Sequence, residues 1–193
     1  MRRILQLPPV SCMEESDILE LYRNGERHQA FNLMMRRYSE SLYWHLRSMV
    51  QCHEDADDVL QNTWLRVWNS LDTFRAESRL YTWLYRIATN EAITFLNRSR
   101  QRAMISLSSY TREVYSKIAE DDNLSADRIQ LALQHAIAKL PPRQKAVFTM
   151  RYYDEMPYED MAEILEVSAS SLKASYHHAR EKVEQSMKNE LDR

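Results

Sequence analysis

The scarcity of glycine constrains this chain more than any other feature. Gly25 is the one glycine in 193 residues, where ordinary usage gives roughly thirteen. Tight hairpins and bulges need residues that accept positive φ, so an all-β fold is nearly excluded. Gly-rich phosphate loops of the P-loop or dinucleotide type cannot be written with one glycine, which removes those nucleotide-binding classes. A hydrophobic share of 44% is ordinary for a globular chain and argues against wholesale disorder.

Helical periodicity fills the space that strands cannot. Between residues 28 and 50, Ala30, Phe31, Met34, Met35, Tyr38, Leu42, Leu46 and Met49 form one broad stripe. Between 55 and 73, Ala56, Val59, Leu60, Thr63, Trp64, Val67, Trp68 and Leu71 do the same, as do Leu80, Trp83, Leu84, Ile87, Ala88, Ala92 and Phe95 between 79 and 99. Three such amphipathic helices can share one core. A short helix over Asp17–Arg23 precedes them and ends at Asn24-Gly25. Residues 103–127 lose the pattern to serines and acids and read as a polar linker. Periodicity returns at Ile129, Leu133, Ile137 and Leu140; Pro141-Pro142 then ends one helix and starts the next, through Val147 and Met150. Pro157 opens a further helix with Tyr158, Met161, Ala162 and Leu165, and Ser168 can cap a long one over 169–189. The expected fold class is all-α: two small helical domains joined by a flexible linker.

Net charge is -2, but the charge is segregated. Residues 54–73 set Glu54, Asp55, Asp57, Asp58 and Asp72 against Arg66 alone. Residues 74–102 carry six arginines against Glu77 and Glu91. Residues 128–153 hold five positive charges and no negative one, whereas 154–167 hold six acidic groups and no basic one. Alternating blocks suit separate surfaces that meet separate partners, one of them a polyanion, although solvated helix faces produce the same pattern.

Cys12 and Cys52 form no CxxC and no repeated spacing, so neither a disulfide framework nor a zinc site is expected. The segment Cys52-His53-Glu54-Asp55 fits neither an EF-hand nor a zinc motif. No metal and no cofactor is expected. The opening run through Pro8-Pro9 is too short and too broken for a signal peptide. No stretch approaches a membrane-spanning length of apolar residues, and a cytoplasmic location is expected. No HExxH, nucleophile elbow or paired-carboxylate constellation supports an enzyme.

Near the C-terminus a short helix, the turn Glu166-Val167-Ser168 and a long helix make a helix-turn-helix pattern. Leu172, Tyr176, Ala179 and Val183 should face the core, leaving Lys173, His177 and Arg180 on another face. Ser170 and Ser171 lie at the helix N-terminus, where backbone N–H groups can meet phosphates. Few fixed positive charges lie there, and phosphate contacts supply most affinity for duplex DNA. Such a module needs a carrier that supplies affinity. A plain helical bundle would show the same periodicity.

Two stretches carry a resemblance. Residues 30–102, with DADDVLQNTWLRVW and TWLYRIATN, closely resemble region 2 of bacterial RNA polymerase sigma factors of the extracytoplasmic-function (ECF) class. Residues 127–188, with AKLPPRQKAVFTMRYYDEMPYEDMAEILEVSASSLKASYHHAREKV, resemble region 4 of the same class. The resemblance implies a tail over 1–16, region 2 over 17–102, a linker over 103–126, region 4 over 127–189 and a tail over 190–193. It implies a factor that binds core RNA polymerase, through the beta-prime clamp helices and the beta flap, and directs promoter-specific initiation. Asp58, Gln61, Asn62 and Leu65 then fall at the core-polymerase contact. Arg75, Ser78, Arg79, Thr82, Arg86 and Asn90 fall where the family recognises and opens the -10 element, with Tyr81, Trp83 and Tyr85 as candidate stacking rings. Ser170, Ser171, Lys173, His177 and Arg180 fall on the -35 reader. An anti-sigma factor is a further partner typical of the class, and no membrane insertion is implied. Asn62 stands where the family usually has an acid, and Ser175 and His178 where arginines are common. These departures alter the expected core and -35 contacts. A helix-turn-helix regulator that never joins polymerase and a helical adaptor are the alternatives.

Overall fold

The structure, a computed structural model, describes residues 15–74, 79–105 and 128–192. The tail over 1–14, the loop 75–78 with Arg75 and Ser78, and residues 106–127 of the expected linker lie outside them. The described residues form eight α-helices and no strand.

The first is α1 (Glu15–Arg23), with Glu15 and Asp17 in its first turn and Arg23 in its last, each placed to favour the helix dipole. Gly25, at φ +82°, turns the chain in the left-handed region that other residues enter at a cost. Glu26 N–H then closes on the Leu21 carbonyl at 2.9 Å. The next two helices are α2 (Arg27–Val50) and α3 (His53–Ser70), and a tight turn over Leu71–Thr73 follows. Arg27 binds the Trp68 carbonyl at 2.6 Å and Asp72 at 2.8 Å, while the Tyr22 hydroxyl donates to the Leu71 carbonyl at 2.8 Å. These bonds fix the start of α2 beside the end of α3. The third long helix, α4 (Leu80–Ile105), packs across both and runs past the end expected from periodicity. Ala30, Leu33, Met34, Leu42, Leu46 and Met49 of α2 interlock with Ala56, Val59, Trp64 and Val67 of α3 and with Leu80, Leu84, Ala88 and Ala92 of α4. Burying each large apolar side chain contributes about 2 kcal/mol.

The second unit comprises α5 (Arg128–Ala138), α6 (Pro142–Tyr152), α7 (Tyr158–Leu165) and α8 (Ala169–Leu191). Pro142 occupies the first turn of α6, where its missing N–H costs nothing. Glu166, at φ 57°, ends α7. Ser168 caps α8 by accepting from the Ser171 N–H at 3.2 Å, as its position in the sequence predicts. Ala136, Ile137, Leu140, Phe148, Ala179 and Val183 make a small core between α5, α6 and α8. Ile129 does not join it; on the first turn of α5 it stays largely exposed.

The two units are packed together. One apolar cluster runs from α2, α3 and α4 into Ala146, Val147, Met150, Met156, Met161, Ile164 and Leu172 of the second unit. Polar groups stitch the same seam. His45, fully buried, sets Nδ1 2.6 Å from Asp154 Oδ2 and Nε2 3.0 Å from Thr89 Oγ1. The Thr89 hydroxyl proton goes to the Tyr85 carbonyl, so its oxygen is left to accept. Gln51 ends α2 at φ 66°, a left-handed position that costs an ordinary residue about 1 kcal/mol. Its buried amide donates to the Gln134 carbonyl at 2.8 Å and to the Gln134 side chain at 2.7 Å, which holds the strained residue in place. Arg100 reaches the Leu140 carbonyl at 2.6 Å.

Candidate polymerase and nucleic-acid interfaces

Asp58, Gln61, Asn62 and Leu65 follow helical spacing along one side of α3, and all four are exposed. Leu65 is 62% exposed, a large apolar side chain left facing water. Beside it lies a groove of about 360 Å³ lined by Phe31, Met35, Gln61, Trp64, Leu65 and Trp68. Phe31 meets Trp64 edge-on at 5.8 Å and Trp68 at 5.0 Å, and the Arg27 guanidinium lies 4.3 Å from the Trp68 ring centre. The buried indole N–H of Trp64 has no hydrogen-bond partner. A rigid aromatic wall, an exposed leucine and a polar row together make a surface that buries apolar area against another protein. Sequence reasoning assigned Phe31, Met35, Trp64 and Trp68 to the core stripe and missed the groove. Periodicity shows which face is apolar; it does not show that the covering layer stops short there.

On α4, Thr82, Arg86 and Asn90 fall in one row, as the spacing predicts, with Arg79 just ahead of the helix, but the row is not uniformly open. Asn90 is exposed, whereas Thr82 is fully buried, its hydroxyl 3.5 Å from Glu163 Oε2. Arg79 pairs with Asp160. Arg86 donates to the Glu163 carbonyl at 2.7 Å and lies 3.1 Å from Glu166 Oε1. Of the candidate rings, Tyr85 is buried, Tyr81 lies tilted against it at 4.2 Å and Trp83 leans on Phe74 at 4.8 Å. Burial, and then the neighbouring Tyr85, push the Tyr81 phenol well above its usual range; burial also raises Tyr85. Both remain neutral phenols at physiological pH.

On α8, Leu172, Ala179 and Val183 are buried, and Ser170, Ser171, Lys173, His177 and Arg180 are all exposed. Arg180 donates to Glu184 at 2.6 Å, and His177 lies 3.4 Å from Glu181. The Lys173 ammonium lies 5.5 Å from the Tyr158 ring centre. Of the two fixed positive charges on this face, that of Arg180 is thus answered from the same helix, one turn further on. Among the described residues no group of three or more His, Cys, Asp and Glu could hold a metal ion, and Cys52, before α3, is a free thiol. No described helix is long and apolar enough to cross a membrane.

An all-α chain with a helical bundle ahead of a helix-turn-helix pair is the class that this architecture defines. Family comparison makes it more specific. Residues 34–102 match the family model of sigma-70 region 2, and residues 130–183 match that of sigma-70, region 4. The chain belongs to the sigma-70 family. Its relatives include the ECF RNA polymerase sigma-E factor of Haemophilus influenzae, 34% identical over 90 residues, which are 47% of each chain. The sigma-E factor of Escherichia coli K12 is 38% identical over 79 residues, 41% of this chain and 40% of that one. The ECF sigma factor SigG of Mycobacterium tuberculosis H37Rv is 38% identical over 79 residues, 41% of this chain and 21% of that one. The matched stretches therefore span about half or less of these relatives. Two solved structures share the fold. CnrH in complex with the cytosolic domain of CnrY has a TM-score of 0.60 at 21% identity, over 89% of this chain and 96% of that one. The sigma factor RpoE of Bartonella quintana, in complex with the anti-sigma factor NepR, has a TM-score of 0.57 at 22% identity, over 82% and 96%.

Proposed function

We propose that this chain is a promoter-specificity factor that binds core RNA polymerase and directs where transcription begins. The observation that carries this reading is the exposed row Asp58, Gln61, Asn62 and Leu65 beside the aromatic groove on α3, within the stretch that matches region 2. That surface docks on the polymerase clamp helices. Residues 17–102 act as the docking and -10-opening unit, with Arg75, Ser78, Arg79, Thr82, Arg86 and Asn90 toward DNA. Residues 127–189 act as the -35 reader, with Ser170, Ser171, Lys173, His177 and Arg180 along α8, and contact the beta flap. The segment 103–126 links them, so that two weak readers act on one promoter through effective concentration. The protein supplies recognition and strand opening, and polymerase supplies the chemistry. It works in the cytoplasm, where polymerase is. An anti-sigma factor that covers both units is its natural antagonist; the similar sigma factor RpoE of Bartonella quintana was solved in complex with the anti-sigma factor NepR.

The test is capture of core polymerase by the purified protein, followed by transcription with that polymerase on a genomic promoter library. Capture should be lost on Asp58→Arg and weakened on Gln61→Ala. Arg86→Ala and Asn90→Ala should keep capture but reduce permanganate reactivity of the -10 region. Failure of the wild-type protein to associate with polymerase, or to change start-site choice, overturns the reading in favour of a regulator acting alone.

A further inference from the structure

A cleft of about 390 Å³ opens between α2 and the second unit. Tyr43 and Trp44 line it from α2; Gln130, Gln134 and Tyr153 line it from α5 and the end of α6. Two of its rings stay open to solvent: Trp44 is 61% exposed and Tyr153 39%. Large aromatic side chains left uncovered beside a concave space, where two units meet, mark a binding site rather than stray exposure. Their neighbours hold both rings in place. Tyr43 meets Trp44 edge-on at 5.3 Å, and its hydroxyl lies 2.7 Å from His53 Nδ1. Gln134 donates to the Tyr153 hydroxyl oxygen at 3.2 Å and is itself held by the buried Gln51 at 2.7 Å.

The spare polar chemistry of the rings is donor chemistry. The Tyr153 oxygen accepts from Gln134, and its proton has no acceptor among the described residues. Burial, and then Tyr152, push this phenol up to about 12, so the proton stays on oxygen at physiological pH. The Trp44 indole N–H likewise has no acceptor among the described residues. The carboxylate in the lining, Asp154, is already engaged by His45 Nδ1 at 2.6 Å. An aromatic slot edged by a spare O–H and a spare N–H suits a flat ring that brings its own acceptor.

We propose that this cleft is a small-molecule site for a neutral, planar heteroaromatic compound whose ring system carries a hydrogen-bond acceptor, held by Trp44 and Tyr153. Small-molecule sites begin at about 300 Å³, so the space takes one such ring system. Both units build the site, so a bound molecule favours their packed arrangement by mass action. The α3 groove, from Phe31 to Trp68, is not part of it.

The probe is quinoline, a fused ring pair with one acceptor nitrogen, uncharged at neutral pH. Indole has a ring system of similar size but donates instead of accepting; cyclohexanone has the acceptor without the aromatic ring. Affinity to the full chain is read by saturation-transfer NMR on the small molecule's own protons. Place is read from the tryptophan N–H signals of the isotopically labelled protein, with that of Trp44 assigned by its loss in Trp44→Phe. Quinoline should move the Trp44 signal saturably and leave those of Trp64 and Trp68 in place, and indole and cyclohexanone should bind about fivefold more weakly. Tyr153→Phe should weaken quinoline about fivefold by removing one donor, and Trp44→Ala about tenfold by removing a ring. Val167→Ala, which trims an exposed apolar side chain elsewhere, should change nothing. Absence of a saturable shift at Trp44 overturns the proposal, as does a shift confined to Trp64 and Trp68, which puts the ring in the α3 groove. Indole or cyclohexanone bound as tightly as quinoline also overturns it, because the site then selects neither acceptor nor ring. Should Trp44→Ala lose helix content, Tyr153→Phe carries the test. None of these readouts involves polymerase or DNA, so their failure leaves the promoter reading intact.

Discussion

Replacing Lys145 with methionine should stabilise the protein, by an amount that shrinks as the pH rises. Lys145 lies on α6 at the seam between the units and is 3% exposed. The oxygen it reaches, Gln51 Oε1, is 3.4 Å away, a long contact for an ammonium. Burial, aided by the positive charge of Arg100, lowers its pKa from 10.5 to about 7. The folded chain thus gives up this proton near pH 7, whereas the unfolded chain keeps it until about 10.5. Between these values the unfolded state binds more protons, so stability rises with pH. Below pH 7 the cost is fully present, and the gap between the two values corresponds to about 5 kcal/mol. Water penetration and local relaxation reduce that, leaving a few kcal/mol. Methionine matches the stem in volume and carries no proton. In urea titrations the variant should exceed the wild type by about 2–4 kcal/mol at a pH near 6 and by less than about 1 kcal/mol at a pH near 10. A difference that is constant across this range, or a variant less stable at low pH, would refute the reasoning.

Three further outcomes are expected. Ser168→Ala removes the bond to the Ser171 N–H at the head of α8 and should cost about 1 kcal/mol in the same titration. Leu46→Ala empties a fully buried position between α2 and its neighbours and should cost about 3 kcal/mol, read as a lower urea midpoint. Lys173→Ala should weaken binding of the polymerase complex to a -35 duplex by about 1 kcal/mol and flatten the salt slope by roughly 1; a base-specific loss with an unchanged slope would assign it to base edges instead.

Much of the helical framework was legible because each signal was local. The apolar stripes, Pro142 at the start of α6, Asn24-Gly25 after α1 and Ser168 before α8 each act within a turn or two of chain, where spacing and backbone chemistry suffice. The row Asp58, Gln61, Asn62 and Leu65 on α3 came instead from the resemblance to region 2; spacing alone would not have singled it out, and its exposure is read from the structure. The groove beside that row was not legible, because Trp64 and Trp68 belong to the apolar stripe whether or not a neighbour covers them fully. The buried Lys145 was equally hidden, since a lysine in a basic block reads as solvated until two other helices are seen to enclose it.

The sequence by itself determined that this protein is helical, where most of its helices begin and end, and which faces are apolar. Those properties follow from one glycine, a few prolines and caps, and the 3.6-residue period. Only the tertiary structure decided which faces meet. It joined the apolar core of the first unit to that of the second, and it buried Thr82 beneath Glu163, 81 residues away in the chain. It also set the carboxylates around α7 on Arg79, just ahead of α4, and on Arg86 within it. Charge blocks declare what a surface can attract, but a neighbouring helix and a strand of DNA offer the same oxygen acceptors. The choice between them is made by packing between distant segments, which no local pattern encodes.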